Sequence, residues 1–166
     1  MKIAPIKTAA FSLVEVAIAI GLSAFCLTAI FGLLPVGLNS NMASINQTEA
    51  NGILTAVSAD LRATPPTSPL GLSATSPLFS IIIPKNSVST LPSAQTLYLT
   101  DDGVSSPTLV PQSRYLLTVQ FQPNALTSGS SGKIATFVNL KVTWPAEAPV
   151  AYAAGSVQTF LAIDRN

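Results

Sequence analysis

Hydrophobic and polar positions divide this chain into two unlike parts. From Phe11 to Leu34, FSLVEVAIAIGLSAFCLTAIFGLL, the residues are almost all apolar and Glu15 is the single charge. At 1.5 Å rise per residue, such a run predicts a helix long enough to cross a hydrocarbon core of about 30 Å. Beyond it the periodicity continues at helical spacing. Met42, Ile45, Ile53, Val57 and Leu61 form an apolar stripe, and Asn46, Thr48, Glu49 and Asp60 supply much of the polar surface. Arg62 suits the negative C-terminal pole. Thr64-Pro65-Pro66 then stops the helix, because proline lacks the amide and biases its predecessor away from helix. The expectation is one helix over 11–63, broken or kinked at Gly32, Pro35 and Gly37 near the outer membrane face.

Past the helix the period changes. Residues 64–77, TPPTSPLGLSATSP, read as an extended linker or surface loop. Short β-like runs follow at Leu78–Ile83, Thr96–Thr100, Arg114–Gln122, Ile134–Trp144 and Ser156–Ile163. Tyr115, Leu117, Val119 and Phe121 alternate with Leu116, Thr118, Gln120 and Gln122, which predicts one buried sheet face. Ile134, Val138, Leu140, Val142 and Trp144 repeat the alternation, and Pro123–Lys133 reads as a hairpin loop. The predicted fold class is α+β: a long N-terminal helix, half membrane-spanning and half amphipathic, packed on a C-terminal antiparallel β-sheet.

Composition sharpens this division. There are 8 basic against 7 acidic residues in 166, so bulk charge attracts neither nucleic acid nor an acidic substrate. The chain has no histidine and one cysteine, Cys26. It therefore has no internal disulfide framework, and the commonest general base, the usual triads and most zinc sites are missing. No cofactor and no enzymatic activity are expected. Asp101-Asp102-Gly103 offers weak metal ligands, yet its composition is that of a tight turn, and calcium wants about six oxygens or more. Trp144 before Pro145 reads as a core or rim aromatic ahead of a carbohydrate-stacking one. Lys133 and Lys141 with Phe137 are too few cations for a phosphate track.

Lys2 and Lys7 precede the apolar run, and the next basic residue is Arg62, so the N-terminus is expected in the cytoplasm and the remainder outside. A cleaved secretory signal has an apolar region of about 7–15 residues, shorter than this one. A lipoprotein signal at Cys26 would need a small residue where Phe25 stands. A plain anchor leaves Glu15 unexplained. A carboxylate in a lipid-facing helix costs about 2–3 kcal/mol or more and marks a functional site by default. Cleavage before Phe11 would create an α-amino group able to neutralise Glu15 of a neighbouring subunit.

A short basic leader, Ala10, then Phe11-Ser12-Leu13-Val14-Glu15 and an apolar helix together resemble the class III signal of type IV pilins and pseudopilins. The stretch IFGLLPVGLNSNMASINQTEAN further resembles the B-type pilin-like proteins of the Verru_Chthon cassette. The resemblance implies cleavage and N-terminal methylation by a prepilin peptidase between Ala10 and Phe11, and docking guided by Glu15. Ala10 departs from the usual glycine before the cut. The implied organisation is a leader 1–10, a membrane and assembly helix 11–63, a linker 64–77 and a β-rich extracytoplasmic domain 78–166, with pilin-like architecture. The implied partners are other pilin-like subunits in a homo- or hetero-filament, the peptidase, the membrane, and an assembly platform and ATPase. No nucleic acid is expected. The implied location is the bacterial cytoplasmic membrane or a cell-surface filament. Without two cysteines near the C-terminus, the chain leans toward minor pilins and pseudopilins. The alternative is a single-pass anchor carrying an extracytoplasmic binding module that does not assemble.

Overall fold

The computed structural model describes residues 12–65, 73–84, 91–123 and 135–163, which belong to two compact units, 1–42 and 43–166. One helix, α1 (Leu13–Ala63), contributes to both. The division falls inside the helix, so its amphipathic half belongs with the β-rich residues rather than with the apolar run.

In the first unit every described side chain is exposed, from Ser12 through Met42. Among the described residues, α1 is the one helix long and apolar enough to cross a membrane, and it lies near the N-terminus. Two hydroxyls deep in the apolar run, Ser23 and Thr28, do not project as bare donors. Ser23 Oγ donates to the Ala19 carbonyl at 2.7 Å, and Thr28 Oγ1 donates to that of Ala24 at 2.9 Å. Of the expected break or kink at Gly32, Pro35 and Gly37, the break does not occur, since α1 continues through all three. Pro35 removes one amide, the one that would meet the Phe31 carbonyl. Apolar helix-forming neighbours on both sides carry the remaining ladder across that gap.

The second unit is an α+β arrangement, as the patterning predicts. Its strands are β1 (Ala74–Thr75), β2 (Ile82–Ile83), β3 (Gln95–Thr100), β4 (Ser105–Ser106), β5 (Ser113–Phe121), β6 (Thr136–Trp144) and β7 (Gly155–Ile163), with a 3-10 turn at Val150–Tyr152. β1 and β2 pair with each other; the others form an antiparallel sheet in the order β4-β3-β5-β6-β7. Tyr115, Leu117, Val119 and Phe121 are fully buried, as their alternation predicts, and Val138, Leu140 and Val142 of β6 join them. This face packs with Ala50, Leu54, Val57 and Leu61 of α1 in one core. Each fully buried Leu, Val or Phe contributes about 1.5–3 kcal/mol, so this layer is the main source of stability.

Three expectations are corrected. Met42 and Ile45 are exposed, and the buried helix face runs instead through Ala50, Leu54, Val57 and Leu61, with Asn46, Glu49 and Ile53 half-buried. The small side chain of Ala50 allows the close approach that the expected stripe lacks. Second, the run Leu78–Ile83 is strand only at Ile82–Ile83, because residues 77–79 form a turn. Ser80 there has φ 54°, Ser76 N–H donates to the Ile81 carbonyl, and Ser76 Oγ accepts the Ile81 amide at 3.1 Å. Third, the segment 64–77 is not wholly surface: Thr64, Ala74 and Ser76 are buried. The hairpin-loop expectation for Pro123–Lys133 falls, beyond Pro123, outside the described residues, as do Ile134 and Lys133.

The β6–β7 pair closes around an aromatic. Trp144 stands opposite Gly155 in the register, and a Cβ on Gly155 would lie 2.2 Å from the indole Cζ2. The ring also meets Tyr115 edge-on, with centroids 6.4 Å apart. Trp144 is thus a partly buried aromatic packed against the core, in keeping with its reading as a core or rim residue.

Candidate functional site

Glu15 lies in the first turn of α1, where a carboxylate interacts favourably with the positive end of the helix. It makes no ion pair among the described residues. Along the same face, Glu15, Val16, Ala19, Ile20, Ser23, Ala24 and Leu27 line a shallow, mainly apolar groove. Its lining mixes small side chains, those of Ala19, Ser23 and Ala24, with larger ones. Such a depression suits a packed side chain from a neighbouring helix. Ala10 and Phe11 lie outside the described residues. Gly21 has open space around it, so its face with Ala17 is free for close helix approach. Cys26 is exposed on the same apolar helix.

In the second unit, three of the four helix residues assigned by pattern to the polar surface, Asn46, Glu49 and Asp60, turn inward, while Thr48 stays exposed. Tyr115 Oη donates to Glu49 Oε2 and also approaches Asn46 Oδ1 at 3.3 Å. Arg114 donates to Asn46 Oδ1 at 3.1 Å and to Asp101 Oδ2 at 2.9 Å. Burial first, then the bond to Glu49, pushes the Tyr115 phenol above its ordinary value of 10.0. The bond to Asp101 raises the Arg114 guanidinium further, so it stays charged. At the other end of the helix, Asp60 is buried and accepts the Leu78 amide at 3.2 and 3.3 Å and the Phe79 amide at 3.1 Å. These groups fasten helix to sheet and to turn. The carboxylates of Glu49, Asp60 and Asp101 each accept from a donor on another element of this unit.

The weak metal candidates Asp101 and Asp102 occupy the β3–β4 turn. Gly103 has φ +77° there and donates its amide to the Thr100 carbonyl at 3.0 Å, a conformation that favours glycine. Asp101 is held by Arg114, and among the described residues no group of three or more His, Cys, Asp or Glu comes together. Lys141 is half-buried, and with Phe137 it faces the side of the sheet away from α1.

Sequence reasoning missed Asn46, Glu49 and Asp60 as contact residues. A signal was present: all three are in phase with Ala50, Ile53, Val57 and Leu61 at spacings of three and four. Polarity argued for solvent, yet phase placed them on the packed face. Compared with protein-family models, curated proteins and solved structures, the chain matches none.

Proposed function

We propose that this protein is a subunit, of the minor type, of a type IV pilus-like or type II secretion-like filament. It would be processed between Ala10 and Phe11 and assembled through α1 in the cytoplasmic membrane. The observation that carries this reading is Glu15: a lone carboxylate at the start of a helix whose apolar side chains are exposed through Leu38. In hydrocarbon such a group needs a partner of opposite charge, and the first turn of α1 offers none among the described residues. A methylated α-amino group at Phe11 of a neighbouring copy supplies that charge, and the groove beneath Glu15 receives the neighbour's side chains. The β-rich unit would sit outside the membrane, with an assembly platform and ATPase acting on the cytoplasmic side.

The test is the intact mass of the mature chain purified from native membranes. A chain beginning at methylated Phe11 supports the reading. Retention of Met1–Ala10 overturns it and leaves a single-pass anchor bearing a β-rich binding module.

A further inference from the structure

The long free edge of the sheet differs from its other edge. β4 closes one side with two residues followed by Pro107. β7 closes the other with nine residues, GSVQTFLAI, without a charge, a proline or a register shift against β6. Natural edge strands are usually blunted by such features, because bare amides and carbonyls invite another strand.

The direction of those bare groups can be deduced. Gln122 N–H donates to the Phe137 carbonyl, so Phe137 and every second residue of β6 turn their backbone toward β5. The intervening residues, Val138, Leu140 and Val142 among them, turn toward β7 and bond Leu161, Thr159 and Val157. Ser156, Gln158, Phe160 and Ala162 therefore direct their N–H and C=O groups away from the sheet. All four are exposed, and among the described residues no strand pairs with them. Beside this edge runs a groove walled by Val157–Leu161 and by Leu54, Thr55, Ser58, Ala59 and Arg62 of α1. On the opposite face Phe160 is 68% exposed.

We infer that β7 is a β-augmentation site for an extended, otherwise uncharged segment of a partner protein that carries a carboxylate for Arg62. Main-chain bonds to the edge supply affinity, and alternate side chains enter the groove or cover Phe160. The charge follows from complementarity: Arg62 is the one charged residue lining the groove and has no ion pair among the described residues. A second copy is a poorer occupant. A second copy pairing through its own β7 would offer a strand without a charge, and so no carboxylate for Arg62. The site stands whether or not a filament forms.

The experiment uses the full chain in detergent micelles and a synthetic nine-residue peptide of alternating valine and threonine with one glutamate, beside its glutamine counterpart. Saturable binding with new exchange protection at the amides of Ser156, Gln158, Phe160 and Ala162, and none added at Val157, Thr159 or Leu161, is the expected result. The glutamate peptide should bind about two- to fivefold tighter, a preference lost in Arg62→Gln. Gln158→Pro should abolish binding while leaving β6 pairing intact, since its amide points outward. Absence of saturable binding, protection elsewhere, equal affinity of the two peptides, or protection that grows with protein concentration alone would overturn the proposal.

Discussion

The Asp60 carboxylate, one turn from the end of α1, accepts the amide of Phe79 at 3.1 Å across a separation of 19 residues. The same group holds the Leu78 amide, so a single side chain fixes the turn at residues 77–79 against the helix. Hydrogen bonds to a charged acceptor contribute about 1.5–3 kcal/mol, and buried amides left without one cost a similar amount. Asp60→Ala should therefore lower unfolding free energy by about 2–3 kcal/mol, read from denaturant midpoints of the full chain in micelles. Asp60→Asn, which keeps one acceptor oxygen, should recover part of the loss. Equal stability of the alanine variant and the native chain would refute the role.

Tyr115 gives a pH-dependent counterpart. Its phenol is pushed above 10.0 by burial and by Glu49, so the folded state holds the proton more tightly than the unfolded chain does. The associated stability is complete below pH 10 and is lost as pH rises above that value through the higher folded one. Unfolding free energies measured between pH 7 and 11 should fall more steeply at the alkaline end for the native chain than for Tyr115→Phe. At pH 7 the same variant should lose about 1–2 kcal/mol, because Glu49 is left half-buried without its donor. Parallel pH profiles would contradict the assignment.

Gly155 is where a single methyl group should matter most. Its Cβ would fall on the Trp144 indole at 2.2–2.8 Å, far inside contact distance. Gly155→Ala should destabilise by about 1–3 kcal/mol through overpacking. It should also change the Trp144 emission spectrum, which fluorescence would report. Gly52→Ala is the matched control: nothing lies within 4 Å of its Cβ, and helix propensity alone predicts a gain of about 0.5–1 kcal/mol.

Pro35 tests the continuity of α1. The helix passes through it, yet the Phe31 carbonyl lacks its amide donor. Pro35→Ala should restore that bond and slow amide exchange on both sides of the substitution, with circular dichroism showing slightly more helix. If the restored helix also blocked co-assembly, loosening at this point would be part of assembly. The companion variant Glu15→Ala should insert normally into membranes but fail to co-purify with other pilin-like subunits. Normal incorporation would count against the proposed function.

Much of the fold was legible because its periods are simple. Alternation in Tyr115–Phe121 and Val138–Val142 marked the buried sheet face, and the apolar run ending at Leu34 marked the exposed half of the helix. The contacts of Asn46, Glu49 and Asp60 were not legible, because burying a polar group depends on a partner distant in sequence. Arg114 and Tyr115 lie 66 to 69 residues from the helix positions they meet. β1 and β4 were hidden for a related reason: each is two residues long, shorter than any window in which alternation can be counted. Glu15 stood out at once, since a charge among apolar residues needs no tertiary information to be noticed.

The two-residue edge at β4 limits what this sheet can build. A strand that recruits another can start an open-ended cross-strand polymer only if both borders of the sheet accept a neighbour. Here Ser105–Ser106 is too short to template one, and Pro107 removes the next amide. Joining through the proposed β7 site would therefore saturate after a single guest strand per molecule. On the proposed function, a long array of this protein would gain its length from helix-to-helix stacking, with the β-rich portion left to decide what travels alongside.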